Sequence, residues 1–385
     1  MQQCISYLKE NYPKCLKRLD EESLLAASLL HDIGHGPFSH VSEDIPIRHE
    51  ERAIEIITNS SSDVYKVLIK RAPSLPSKVS ALIAKRSRAP LWQKSLISSQ
   101  LDMDRLDYLR RDSLCSGAEY GNFDWFRIIH TMQLKEKVIS RDERTKGQKV
   151  IYVVWPDKSK FALEEYIFSR FYMYQSVYFH HTTRGFEGLL KKILQCAQDI
   201  AKNNKSFTKA LLPPMKMLLG GKEGKDLTKF QKLTDHVLLA QVTTWQNIKN
   251  KTLSDLSTRL LHRKGIGWEP ITKIGLEITN KTTRVQEYLK KKGLDHNYYF
   301  FDDKTRAEAY KPYRSAAEPK DQSSVNSIML FDPKWLKAGE TGFREITQVP
   351  GLGRLRAITE ADDPSSILRY YFPKEHKSQI KRLLS

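Results

Sequence analysis

Long apolar runs are missing from this chain. No stretch approaches the roughly 18 consecutive apolar residues that a membrane-spanning helix needs, and no basic amphipathic segment stands out as a surface anchor. A membrane is therefore not an expected partner. The first thirty residues alternate charge and apolarity and lack the apolar stretch and small residues of a secretory signal, so a cytoplasmic location is expected. Cysteine is scarce: Cys4, Cys15, Cys115 and Cys196 are the four in 385 residues, far apart and never in a CxxC pair. That argues against a disulfide framework or a zinc ribbon and leaves reduced thiols. Acids are also in deficit, 45 against 64 lysines and arginines, a formal net charge of +19. Such an excess attracts polyanions, whether nucleotides, nucleic acid or an anionic surface, and charge alone does not choose among them.

What is present can build a core. Hydrophobic residues are 40% and charged residues 28% of the chain, ordinary for a globular protein and too apolar for wholesale disorder. The reading is mainly α. Ser23 to Leu30 is rich in helix formers and apolar almost all round, so a buried helix is expected there, ended by Gly34, Gly36 and Pro37. A helix is expected from Ser99 to Asp112, and a long one from Ala162 to Asp199. Lys149 to Trp155 is β-branched and aromatic, one strand of a hairpin with residues near Val138 and Ile139. Residues 202 to 226 are polar and rich in lysine and glycine, and read as a loop or a helix-joining insertion. The segment from Gly220 to Asp226 lacks the spacing of a phosphate loop and reads as solvated. A second helical stretch covers about 228 to 264. The short apolar runs Tyr298–Phe301, Ser327–Phe331 and Gly342–Val349 then suggest a small α+β region ending in a helix near 374 to 384. The expected division is 1–200, 201–264 and 265–385.

Chemistry concentrates in two clusters. His31, Asp32, His35 and His40 fall within ten residues at the end of the apolar helix. A lone histidine is more often a hydrogen-bonded core residue. Three with an aspartate suit a divalent ion, and the intervening glycines let backbone approach a ligand. The second cluster runs from Asp102 to Asp112. Asp104, Tyr108 and Asp112 are four apart, on one helix face, with Arg111 nearby. A salt-bridged solvated helix is the plain alternative. A third block, Phe168 to His181, is largely core-like, with Arg170 and Tyr178 eight apart. His49 and Glu50, taken alone, read as part of a charged surface helix.

Together these blocks resemble the HD superfamily of metal-dependent phosphohydrolases, in particular the bacterial deoxynucleoside triphosphate triphosphohydrolase-like branch. The matching strings are LLHDIGHGPFSH, RHE, LDMDRLDYLRRDS followed by GAEYGNFD, and SRFYMYQSVYFH, with further likeness in LSDLSTRLLHRK, EAYKPYRS, GFREITQV and YYFPKEH. The resemblance implies an HD-type helical core over 1–200, a helical extension over 201–264 and a small C-terminal α+β domain over 265–385. It implies a divalent metal (Mg, Mn, Fe, Co or Zn) held by His31, Asp32 and Asp104. His35, His49 and Glu50 match residues around the scissile phosphate, His35 as proton donor to the leaving oxygen. His40, Arg105, Tyr108, Asp112, Arg170 and Tyr178 match positions contacting triphosphate or sugar, and Glu43 stands where some relatives carry aspartate. The implied reaction releases nucleoside and triphosphate from a (deoxy)nucleoside triphosphate, in a homo-oligomer.

One departure matters. The family's first metal histidine lies upstream in an Arg-Phe-x-His context, and no histidine precedes His31 here. Because the downstream motif residues are intact, an N-terminally shortened chain is expected rather than a degenerate one. Two other readings stand beside the triphosphohydrolase. One is an HD phosphodiesterase or nuclease binding nucleic acid through its basic surface. The other is a non-catalytic nucleotide-binding HD module.

Overall fold

The computed structural model describes residues 1–42, 48–139, 148–220, 226–271, 276–304, 327–337, 342–355 and 368–385. In chain order the helices that matter here are α1 (Gln2–Asn11), α2 (Arg18–Leu30), α3 (His49–Thr58), α4 (Asp63–Arg71), α5 (Leu75–Ile83), α6 (Leu91–Ile97), α7 (Met103–Ser116), α8 (Trp125–His130), α9 (Lys160–Met173), α10 (His181–Asn203), α11 (Lys205–Ala210) and α12 (Pro213–Gly220). The described strands are β1 (Gln133–Ile139), β2 (Gln148–Pro156), β3 (Ile266–Pro270), β4 (Phe301–Lys304), β5 (Met329–Phe331), β6 (Phe343–Glu345) and β7 (Leu368–Pro373). Among the described residues the chain is mainly helical with two small sheets, the fold class its sequence implies.

Two compact units form. The first comprises Met1–Gly34, Glu50–Val177 and Lys311–Pro364. Within it α2 packs on α5, α5 on α6, and α7 on α9, around Leu24, Ala27, Val79, Leu96, Leu109 and Leu163. The apolar run of α2 is buried at Ser23, Leu24 and Ala27 but not all round, since Leu29 is 81% exposed. The expected hairpin forms: β1 and β2 pair antiparallel with Val138 opposite Lys149, and β5 and β6 extend the sheet in the order β1-β2-β5-β6. The turn after α7 approaches that helix so closely that a Cβ on Gly121 would lie 2.2 Å from the Leu109 carbonyl oxygen, which only glycine permits.

The second unit comprises His35–His49, Tyr178–Tyr310 and Ser365–Ser385. Its sheet, in the order β3-β7-β4, is antiparallel throughout, with Trp268 and Phe301 both opposite Tyr371. Val285, Leu289, Phe372 and Ile380 form a core cluster there.

Three local expectations change. The helix expected from Ser99 starts at Met103, because the Asp102 side chain accepts the Arg105 amide and caps α7, while Gly117 at φ 73° ends it. The helix expected over 162–199 is two. Tyr174–Tyr178 wind as a π-helical turn after α9, and α10 restarts at His181 with the His180 ring accepting from the Thr182 amide at 3.4 Å. The aromatic and β-branched residues Tyr174, Val177, Tyr178 and Phe179 lose side-chain freedom in a helix, which makes this the weak point of the run. Finally, the polar stretch after 202 is not a plain loop. Asn204 caps α11, and buried Met215 and Met217 anchor α12, apolar positions that the average composition conceals. The glycine-lysine segment at 221–225 lies outside the described residues.

β6 ends on Glu345, only 2% exposed, which accepts the Thr347 amide at 3.0 Å and the Thr347 hydroxyl. Its Oε1 is buried and has no hydrogen-bond partner among the described residues. Burial pushes this carboxyl up to about 7, against the lowering effect of Thr347. The folded chain therefore holds the proton more tightly than the unfolded chain. That stabilisation is complete below the unfolded value of 4.5 and is lost as pH rises to about 7. Glu345→Gln is expected to raise the thermal midpoint by several degrees at about pH 8 and to change it little at about pH 4.5. Equal midpoints at the higher pH would show that the buried carboxylate carries no such penalty.

Candidate metal centre

The first unit brings together the two clusters that lie some seventy residues apart in sequence. His31 is the residue that ends α2, and Asp104 sits in the first turn of α7. His31 Nε2 lies 3.4 Å from Asp32 Oδ2 and 3.8 Å from Asp104 Oδ2. One ligand atom from each of the three residues lies within 4.8 Å of the others, the spacing of a shared cation.

The backbone sets the histidine's orientation. His31 Nδ1 is 3.0 Å from the Ser28 carbonyl oxygen, one turn back on α2. A carbonyl can only accept, so Nδ1 carries the hydrogen and Nε2 is the nitrogen presented to the carboxylates. The helix ends favour the same assembly. A cation is stabilised at the C-terminal end of α2, and the Asp104 carboxylate at the N-terminal end of α7. The side chains are graded in exposure, His31 at 19%, Asp104 at 41% and Asp32 at 52%, so the centre opens to solvent on its carboxylate side. In the absence of a metal ion, the neighbouring Asp104 carboxylate, backed by the charge of Asp32 and opposed by burial, raises the His31 imidazole to about 9. A bound proton and a divalent ion answer the same negative pocket. The donor set of one imidazole and two carboxylates therefore fits a divalent metal.

Beside it α7 and α9 build a half-buried polar cluster. Tyr108 and Tyr174 hydroxyls lie 3.3 Å apart, and burial raises the Tyr108 phenol far above its ordinary value, so it is a neutral hydroxyl. Buried Arg170 donates from Nη1 to Gln100 Oε1 at 2.7 Å, and Tyr166 donates to the Gln100 carbonyl at 2.7 Å. Arg105 Nη1 donates to Asp102 and to the Ser99 carbonyl. Burial opposes charge on Arg105, but the Asp102 carboxylate and the neighbouring tyrosines act against it and the net shift is upward. Asp112 is half-buried on the same helix. Arg111 is not on this face: it pairs with Asp107 at 2.6 Å, both exposed, because i and i+4 on the outer face are neighbours. Glu50 lies 3.1 Å from Lys85 Nζ.

The remaining expected residues belong to the second unit. His35 and His49 stack, centroids 3.9 Å apart at 18°. Between them the chain turns through Phe38 and Ser39, both at positive φ, and the Phe38 amide donates to Asp235 Oδ1 at 2.9 Å. Tyr178 is half-buried in the turn before α10. Glu43 and the His40 side chain lie outside what is described. Reading the sequence overlooked Ser99, Gln100, Tyr174 and Asp235, which contribute through backbone or single contacts and carry no spacing signal. Asp102, three residues before Arg105, did carry one: it is the pattern of a capping carboxylate.

Comparison with known proteins places these residues in a family. Residues 2–112 match the HD domain, so the N-terminal region of this chain is an HD domain. More particularly, the chain is similar to YwfO of Bacillus subtilis, 34% identical over 301 residues, 78% of this chain and 64% of that protein. It thus spans less than two thirds of that relative's length. A more distant likeness is to the deoxynucleoside triphosphate triphosphohydrolase SAMHD1 of Mus musculus, 26% identical over 209 residues, 45% of this chain and 31% of that one. A phosphohydrolase of known structure from Bacteroides thetaiotaomicron shares the fold, with TM-score 0.71 over 97% of this chain and 84% of that chain at 23% identity.

To ligate a metal, His31 must surrender the proton that Asp104 and Asp32 help it hold. Mn²⁺ uptake at about pH 7.5 is expected to release about one proton, read calorimetrically as a dependence of binding heat on buffer ionisation enthalpy. Asp104→Ala removes a half-exposed carboxylate and little packing, so the variant should stay folded and lose Mn²⁺ binding. Tight binding by that variant would remove Asp104 from the ligand set.

Proposed function

We propose that this chain is a metal-dependent phosphohydrolase that cleaves nucleoside triphosphates to nucleoside and triphosphate. The observation that carries the reading is the meeting of His31, Asp32 and Asp104 at one point between two helix ends. The HD domain supports phosphohydrolysis, and the distant likeness to a deoxynucleoside triphosphate triphosphohydrolase supports the substrate class.

A divalent ion held by His31, Asp32 and Asp104 would supply Lewis acidity toward a phosphoryl oxygen and a water made acidic enough to attack near neutral pH. The protein's own part is positional and electrostatic. Arg170, fixed by Gln100, is a buried cation that meets charge developing on phosphoryl oxygens without having to reorganise. Tyr108, held neutral by burial, offers a hydroxyl to a sugar, with Asp112 as its neighbour on the same helix. His35 is assigned the proton that the leaving 5′-oxygen takes up. Incubation with each dNTP and rNTP in the presence of Mn²⁺ is expected to yield free inorganic triphosphate and nucleoside in equal amounts. Formation of pyrophosphate and monophosphate, or no turnover of any nucleotide by the metal-loaded chain, would overturn this reading.

The +19 charge favours one alternative, a phosphodiesterase acting on nucleic acid. Polymer binding releases condensed counterions, so affinity for single-stranded DNA would fall by orders of magnitude from about 50 to 200 mM salt. A triphosphate substrate predicts a much shallower dependence of KM on salt.

A further inference from the structure

Asp102 differs from an ordinary helix cap. It is 1% exposed, and both its oxygens are used. Oδ1 accepts the Arg105 amide at 2.8 Å, while Oδ2 accepts the Ser99 amide at 2.9 Å and the Arg105 guanidinium. The same guanidinium nitrogen donates to the Ser99 carbonyl, so Ser99, Asp102 and Arg105 close a ring of hydrogen bonds across the turn between α6 and α7. The turn is pinned from outside as well. Leu101 donates its amide to the Ser99 hydroxyl at 3.2 Å, and Gln100 accepts Tyr166 on its carbonyl and Arg170 on its side chain, both from α9.

Serine or asparagine would cap α7 about as well as aspartate. A neutral cap could not hold a guanidinium with the oxygen that also receives the Ser99 amide. The arginine so held is the residue immediately after Asp104, and Asp102 lies two residues before it. Asp104 itself stands 3.8 Å from His31 Nε2, on the open side of the helix end. Its carboxylate therefore takes its position from the backbone of the first turn of α7, which the ring immobilises.

We infer that Asp102 is a positioning residue for the metal centre: with Arg105 and Ser99 it forms a buried clamp that fixes where Asp104 presents its carboxylate to His31. This rests on the metal reading of His31, Asp32 and Asp104. It gives the Nη1 of Arg105 an internal task, where the family resemblance implied a contact with triphosphate or sugar. It also makes the turn at 99–102, with no metal ligand of its own, part of the machinery.

The test measures Mn²⁺ binding directly, from the electron paramagnetic resonance signal of the free ion, alongside metal-free thermal unfolding. Asp102→Asn keeps an acceptor for the Arg105 amide and removes the charge that holds the guanidinium. Because this leaves Arg105 without its counterion, the double variant Asp102→Asn, Arg105→Gln is measured beside it, with both partners neutral and of similar shape. Asp107→Asn, on the exposed face of the same helix, is the control. The expected result is Mn²⁺ affinity weakened about 10- to 100-fold in the folded double variant, as for loss of a group that orients a metal ligand, and unchanged in the control. A lowered unfolding midpoint with Mn²⁺ affinity within about twofold of the unaltered chain would assign Asp102 to folding alone and overturn the inference. Failure of the unaltered chain to bind Mn²⁺ is a separate result: it overturns the metal reading itself, and the positioning role with it.

Discussion

The end of α2 and the start of α7 meet at a distance that only charge of opposite sign makes stable. The last carbonyls of α2 are partly negative, and next to them stand two carboxylates, Asp32 and Asp104, on either side of one imidazole nitrogen. Left without a cation, such an arrangement repels itself. With a proton or a divalent ion at Nε2 it becomes attractive. The Ser28 carbonyl decides which ring nitrogen takes part, and so converts the place where a helix ends into a directed donor. The metal reading follows from that constraint, since a ring turned by half a revolution would take Nδ1 from the Ser28 carbonyl and put a ring carbon where Nε2 faces the acids.

Around the centre, charge is handled in two ways. Exposed pairs such as Arg111 with Asp107 are solvated and contribute little to stability. The buried groups here each have at least one partner inside the protein, although among the described residues not every buried nitrogen of Arg105 and Arg170 is hydrogen-bonded. Arg105 has Asp102, Arg170 has Gln100, and Tyr166 has a backbone carbonyl, so the polar interior beside α7 and α9 keeps a single arrangement. A cluster built this way is ready to meet charge on a ligand without rearranging. The exposed carboxylates of Asp32 and Asp104 lie on the solvent side, and the histidine lies deeper.

Much of the site was legible in residue order. The density of histidine and aspartate after an apolar helix, and the four-residue spacing of Asp104, Tyr108 and Asp112, are local patterns, and a local pattern survives folding because a helix preserves its own geometry. The hairpin at β1 and β2 was legible for the same reason, through its β-branched run. Misreadings arose where a local rule met a competing one. Arg111 looked like a member of the Asp104 stripe, but its nearest acid on the outer face claimed it. The helix over 162–199 looked continuous, yet its aromatic centre breaks it at Tyr174–Tyr178. The segment after 202 looked like a loop because its lysines and glycines outnumber the methionines that anchor α12.

The amino-acid order by itself determined the helical class and the positions of the two motif blocks, since each depends on residue type and short-range periodicity, while the choice of His31, Asp32 and Asp104 as candidate ligands came from the resemblance to the HD superfamily. Tertiary structure alone decided that His31 and Asp104 share one space, that Nε2 rather than Nδ1 faces the acids, and that Asp102 and Arg105 are bound to each other. Those facts depend on the packing of α2, α6, α7 and α9 and on the direction of individual hydrogen bonds. Contacts between residues far apart in sequence are set by the shape of the whole core, and no local pattern encodes them.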